Sequence, residues 1–265
     1  MGKVISFSEF PKYYSKLSQR TEFVRGTIFD TNILIAIDYE VNLNHDEVLD
    51  FIDHCLLPER RNGFRFFTTV NTRSEYLDFH RRLIMTEQLR DIILKNPVWK
   101  LSQNAKTQIQ YQSGILKRRE NQGSDPVFND SQIKAIKAAF SAGRFSGQLG
   151  WIDLCDKILK NRLDEAEQDL FSFGIEYISQ HEPSQRELFS KMIDWPEAKN
   201  ISEKTCLGLS DSMILNASQC SHFSFILSAD FDVGYAALAD SKMKDVVMPD
   251  SVAKTYRDFH FETYG

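Results

Sequence analysis

Apolar positions along this chain fall into two kinds of run. Short, nearly unbroken runs occur at Gly26 to Phe29, Arg65 to Val70, Phe223 to Leu227 and Val246-Val247-Met248. They are rich in aromatic and β-branched residues, which suits buried strands, and Pro249 closes the last of them. Between them lie stretches with apolar residues at helical spacing. Phe10, Tyr13, Tyr14 and Leu17 follow Ser8, a candidate cap, and Val48, Leu49, Ile52, Cys55 and Leu56 mark a helix over Asp46 to Leu57 that Pro58 is expected to end. Ile33 to Ile37 opens a helix or turn, a long helix is expected from Thr72 to about Leu94, and Ser210 is expected to cap a helix carrying Met213, Ile214 and Ala217. Strands alternating with helices in this order predict parallel α/β units.

The alternation stops between about Asn96 and Asn200. Helical pieces are expected there at Ile133 to Phe140, Trp151 to Lys160, Leu163 to Ile178 and Glu187 to Ile193, with loops at Asn121 to Pro126 and His181 to Ser184. The expected architecture is therefore α/β, with a central parallel sheet and a largely helical insertion. By domain, residues 1–24 read as an N-terminal helical extension, and residues 25–265 as one domain interrupted by the insertion at about 96–200.

Composition narrows the class. Hydrophobic residues make up 42% and charged residues 26%, the balance of a globular chain, which excludes disordered and collagen-like classes. No apolar run approaches a membrane span and the amino terminus shows no secretory pattern, so a cytoplasmic chain without a membrane partner is expected. Cys55, Cys155, Cys206 and Cys220 are widely spaced and the histidines scattered, which speaks against a disulfide framework or zinc site. With a net charge of −5, any site for a polyanion must be local. Basic residues bunch at Arg60, Arg61 and Arg65, at Arg81 and Arg82, and at Lys117, Arg118 and Arg119, and each cluster alone also reads as a solvated face. Neither GxxxxGK[ST] nor GxGxxG is present, which argues against nucleotide-driven chemistry.

Four acids stand at the ends of apolar runs and at helix starts: Asp30, Glu75, Asp211 and Asp230. Each has a plain structural explanation. Asp30 and Asn32 suit a cap or turn, Thr72-Arg73-Ser74-Glu75 reads as a capping box, Asp211 suits a helix amino end, and Asp230 and Asp232 suit a turn. Jointly they suggest more, because ligands of α/β proteins bind beyond the carboxyl ends of parallel strands, where distant acids can converge. Converging carboxylates raise each other's pKa and need either a proton or a cation. Magnesium, which prefers oxygen ligands and shares them with substrate phosphate, suits such a cluster.

At these residues the chain resembles the PIN-domain nucleases, which include the VapC-type toxin ribonucleases. The resemblance rests on an apolar strand running into Asp30-Thr31-Asn32, Glu75 near the start of the following long helix, Ser210-Asp211 with Ile214, Leu215 and Ala217, and Ile226-Leu227-Ser228-Ala229-Asp230-Phe231-Asp232. It covers about Arg25 to Leu94 and Ile201 to Pro249. About half the chain's length separates Glu75 from Asp211, far more than in compact VapC-like members. The resemblance implies a PIN-like three-layer α/β/α fold and a Mg²⁺- or Mn²⁺-dependent nuclease, foremost an endoribonuclease of toxin or defence type. It implies that Asp30, Glu75, Asp211 and Asp230 are catalytic and hold the metal, with Asn32, Ser228 and Asp232 in support. Which of Asp230 and Asp232 faces the metal stays open, Asp230 being preferred. Arg73, Arg81, Arg82, Lys117, Arg118 and Arg119 are the expected nucleic-acid contacts, on or beyond the helix carrying Glu75. The implied partner is single-stranded or structured RNA, with room for an antitoxin-like inhibitor protein and for a homodimer.

Two other readings fit parts of the pattern. A PIN-like fold kept as an RNA-binding scaffold would need no turnover. Ile28-Phe29-Asp30-Thr31-Asn32 is also similar to the nucleophile loop of haloacid-dehalogenase-like phosphatases, but Asn32 stands where that family has its second acid, and Glu75 and Asp211 would have no role.

Overall fold

The computed structural model describes residues 2–95, 100–121, 126–141 and 149–258. The chain divides into two compact units, Met1–Tyr76 with Leu170–Gly265, and Leu77–Asp169. The loop expected at Asn121 to Pro126 lies largely outside the described residues.

The first unit is α/β, built on one parallel sheet of six strands: β1 (Val4–Ser6), β2 (Gly26–Phe29), β3 (Arg65–Thr68), β4 (Ile175–Tyr177), β5 (Phe225–Leu227) and β6 (Asp245–Met248). Their spatial order is β1-β6-β5-β2-β3-β4, and every pairing is parallel. Parallel strands need crossovers, which here include α1 (Phe10–Leu17), α2 (Thr31–Asp38), α3 (His45–Phe51) and α4 (Leu57–Arg60). All four residues of β2 are buried, as expected of a strand covered on both faces. Thr27 and Thr68, buried polar residues of the central strands, donate their hydroxyls to the carbonyls of Phe225 at 3.0 Å and Phe29 at 3.2 Å. These contacts satisfy groups that would otherwise be costly to bury. The arrangement is compatible with three layers, α/β/α.

The second unit is helical wherever it is described. The long helix α5 (Val70–Lys95) runs into it, followed by α6 (Gln103–Glu120), α7 (Asp130–Ser141), α8 (Trp151–Leu159) and most of α9 (Arg162–Ser172). Met85, Leu89, Ile109, Leu116, Phe128, Ile136 and Leu154 form its own core. The return to the first unit brings α10 (Trp195–Thr205), α11 (Leu209–Cys220), α12 (Phe231–Ala239) and α13 (Asp250–Ala253).

Several local expectations are corrected. A helix from Leu163 to Ile178 does not form: α9 stops at Ser172 and Gly174, at φ +73°, turns the chain into β4. Glycine adopts that left-handed conformation without steric cost, and a Cβ there would also strike the Arg60 guanidinium. β4 therefore places Ile175 beside Phe66 in the sheet, inside the stretch read as helical insertion. The opening segment likewise carries a strand, β1, ahead of the expected helix. Glu187 to Ile193 is not a helix; a 3₁₀ turn covers Pro183–Leu188, and Phe189 bridges to Ser221 in extended form. Nor does Pro58 stop its helix. The preceding turn, Ile52–Leu56, widens into a π-helix and Pro58 enters α4 near its start, where a missing N–H costs little.

Candidate functional site

The strand order reverses between β2 and β5. The chain leaves β2 toward β3 on one side and leaves β5 toward β6 on the other, so the crevice beyond their carboxyl ends is a topological switch point, where α/β folds bind ligands. Asp30 directly follows β2 and is buried, with its backbone N–H donating to the Leu227 carbonyl of β5 at 2.9 Å. Ser228, directly after β5, donates its hydroxyl to Asp30 Oδ2 at 2.6 Å. The other carboxylate oxygen, Oδ1, accepts from the Thr31 N–H at 2.7 Å and so caps α2. Two residues further on, Asn32 Oδ1 accepts the Ala229 N–H at 2.8 Å, tying the loop after β5 to the loop after β2.

Glu75 reaches the same place from α5. The expected capping box over Thr72 to Glu75 is not formed, because the helix begins at Val70 and Thr69 is the residue whose hydroxyl accepts the Thr72 N–H, at 3.2 Å. Released from capping, Glu75 accepts the Thr31 hydroxyl through Oε2 at 2.5 Å. Thr31 is the site residue that sequence reasoning missed; the sign available for it was a hydroxyl beside Asp30, at a helix start where it can reach a neighbouring element. Asp211 lies in the first turn of α11, capped by Gly208 rather than by Ser210. Asp230 caps α12 by accepting the Asp232 N–H at 2.7 Å, and its own N–H donates to the Ser228 hydroxyl at 3.0 Å. Asp232 is exposed.

Electrostatics joins these acids. Burial pushes the Asp30 carboxyl up to about 7, with the charges of Asp211 and Asp230 adding to it and the hydrogen bonds from Ser228 and Thr31 opposing it. Burial likewise raises Asp211 to about 6, and Glu75, Asp230 and Asp232 push the same way. Asp30, Glu75, Asp211 and Asp230 are thus close enough to feel one another, across the long interval that separates Glu75 from Asp211 in sequence. Perturbed carboxylates in a crevice are a recognised mark of functional sites. The donor set is all hard oxygen, which suits Mg²⁺ or Mn²⁺. Among the described residues, however, no three His, Cys, Asp or Glu side chains form a group that could hold a metal ion as they stand. Asp30 and Asp230 are engaged as helix caps and Glu75 with Thr31, so these carboxylates are held by the protein's own donors.

The basic candidates divide by unit. Arg73 belongs to the first, its guanidinium over the Tyr177 ring at 4.9 Å. In the second, Arg81 pairs with Asp78 and Asp130, each at 2.7 Å, and Arg82 pairs with Asp78 at 3.1 Å. Lys117, Arg118 and Arg119 occupy the last turn of α6, where positive charge complements the helix dipole, and Arg119 reaches Gln132 Oε1 at 3.5 Å. No helix among the described residues is long and apolar enough to cross a membrane. No protein-family model, curated protein or solved structure matches the chain.

Proposed function

We propose that the protein is a divalent-metal-dependent nuclease of PIN-like type, acting foremost as an endoribonuclease. The observation that carries this reading is the set of carboxylates gathered at the β2/β5 switch point, where burial, and after it the neighbouring negative charges, raise Asp30 and Asp211 above the ordinary range. A protein that gathers like charges in a crevice destabilises itself unless a proton or a cation binds there, and above pH 7 a cation is the more effective relief.

In this reading Asp30, Glu75, Asp211 and Asp230 hold Mg²⁺ or Mn²⁺. A divalent ion, when bound, makes water more acidic and steadies the charge on a departing phosphodiester oxygen. The chain's own residues fix the carboxylates. Ser228 holds Asp30 through Oδ2, Thr31 holds Glu75, and Asn32 keeps the two strand-end loops in register. Asp232 supplies the N–H that orients Asp230 and adds negative charge near Asp211. Arg73 is the phosphate contact that lies in the sheet unit. The PIN resemblance further implies products with 5′-phosphate and 3′-hydroxyl ends and room for an antitoxin-like inhibitor.

Cleavage of pooled RNA and DNA in Mg²⁺ or Mn²⁺, by wild type and Asp211→Asn, tests the reading. Metal-dependent RNA cleavage that Asp211→Asn abolishes is expected; equal cleavage by both proteins would end it. The capping roles of Asp30 and Asp230 favour one second reading, a PIN-like RNA-binding scaffold in which the acids shape loops. RNA binding in EDTA with no turnover in Mn²⁺ would establish that alternative.

A further inference from the structure

A concave feature opens on the same two helices that carry Glu75 and Asp211. Val70 and Asn71 from the start of α5, Met213 from α11, Gln180 and His181 from the loop after β4, and Trp195 from the start of α10 line a cavity of about 230 Å³. It is smaller than the roughly 300–1,000 Å³ typical of sites for drug-sized ligands, which suits one flat ring system rather than a large molecule. Its rim is unusual for surface residues: Trp195 is 57% exposed and Val70 62% exposed. Leaving an indole this open costs apolar solvation, and aromatic faces so placed are the common platform for stacking unpaired bases.

Polar side chains line the same cavity. Gln180 Oε1 accepts the Ile193 N–H at 2.8 Å, which fixes the carboxamide and sets the role of its nitrogen as donor. Asp194 caps α10 by accepting the Glu197 N–H at 2.7 Å, and its own N–H donates to Asn216 Oδ1 at 3.0 Å, so the backbone beneath Trp195 is anchored. Asn71 and His181 add a carboxamide and an imidazole, each able to donate and accept. An aromatic face and amide edges supply what an unpaired base needs: stacking and edge hydrogen bonds.

We infer that this cavity takes one unpaired nucleobase of a single-stranded nucleic acid, stacked on Trp195, and so sets which strand the carboxylate site receives. The inference rests on the proposal that the protein acts on nucleic acid. It also gives a role to residues 175–195, which the sequence pattern assigned to an insertion. A paired base cannot enter, because its edge is occupied and its face already stacked, so the site selects single strands.

The test is binding of fluorescent oligonucleotides of about 12 residues to the full chain in EDTA, where cleavage cannot consume them. RNA strands, the matching DNA strands and their duplexes are compared. Trp195→Ala should weaken single-strand binding about 10-fold or more, whereas Trp195→Phe, which keeps an aromatic face, should stay within about threefold of wild type. Val70→Glu keeps a helix-compatible acid at the start of α5 but places negative charge at the rim, and should weaken binding comparably. Whichever strand type shows the Trp195 dependence is the source of the base. Binding unaltered by Trp195→Ala and Val70→Glu, equal losses in Trp195→Ala and Trp195→Phe, duplexes bound as tightly as single strands, or no strand bound at all would each overturn the inference. Cleavage of the same strands in Mn²⁺ separates the two ideas. Trp195-dependent binding without turnover removes the nuclease and keeps the base site, while turnover with unchanged KM in Trp195→Ala does the reverse.

Discussion

In the helical unit, Asp130 meets Arg81 at 2.7 Å and Asp78 meets both Arg81 and Arg82; at the carboxyl ends of β2 and β5, Asp30, Glu75 and Asp230 accept hydrogen bonds from neutral donors, and Asp30 and Asp211 feel the charges of neighbouring carboxylates. The hydrogen bond from Arg81 holds the Asp130 carboxyl below its usual range, whereas burial and neighbouring carboxylates hold Asp30 and Asp211 far above theirs. The first arrangement is self-sufficient and exposed, of the kind that contributes only about 0–1 kcal/mol. The second costs stability by itself and becomes favourable when a cation or a proton is added. Charge that complements itself is architecture, and charge that conflicts with itself points to a ligand.

The comparison breaks most visibly in activity. Asp30→Asn or Asp211→Asn should lower Mn²⁺-dependent RNA cleavage by about 100-fold or more, while Asp130→Asn leaves it within about twofold, as single-turnover assays will show. Comparable losses in all three would erase the distinction between the regions. Ser228→Ala should fall between them, at about 10-fold, since it removes the donor that orients Asp30 without removing a ligand. A variant as inactive as Asp30→Asn would instead place Ser228 among the groups that meet substrate.

Stability against pH sharpens the same contrast. Folding raises the pKa of Asp30 to about 7 and of Asp211 to about 6, so between about pH 4 and pH 7 the folded chain holds more protons than the unfolded one. Stability of the metal-free protein should therefore fall as pH rises through that window and level off above it. Added Mn²⁺ should raise Tm more at pH 7.5 than at pH 5, where protons already relieve the repulsion. A Tm of the metal-free protein that climbs steadily from pH 5 to pH 7.5 would contradict the raised pKa values. The smallest effect concerns neutral variants without metal. At pH 7.5, Asp211→Asn should gain on the order of 1 kcal/mol, after allowance for solvent screening, by removing a half-buried charge and the repulsion around it, and Asp130→Asn should lose up to about 1 kcal/mol by urea denaturation.

Much of this arrangement was readable in the chain. Gly26 to Phe29 and Arg65 to Thr68 announce strands by apolar and β-branched density, and the acids after β2 and β5 follow directly from where those runs stop. β1 and β4 were not readable, because three residues at a sheet edge are too few to show a period and Ile175-Glu176-Tyr177 looks like the continuation of α9. The boundary there depended on Gly174 adopting positive φ, which sequence alone does not reveal. Glu75 was placed at the right helix, and of its two readings it is the capping box that does not form. Thr69 and Thr72 compete for the cap, and only the fold shows that Thr69 prevails and that Thr31 holds the glutamate. The pairing of Arg81 with Asp130 was equally hidden, since it joins residues of two helices that no sequence pattern aligns.

The most direct test of the account is calorimetric titration of Mn²⁺ into the metal-free protein at pH 7.5, with Asp211→Asn as the comparison. The account predicts saturable binding to wild type and at least about 10-fold weaker binding to the variant, with both proteins equally folded by circular dichroism. The absence of saturable binding, or equal affinity in the two proteins, would contradict it and return Asp30 and Asp230 to the capping roles they already fill.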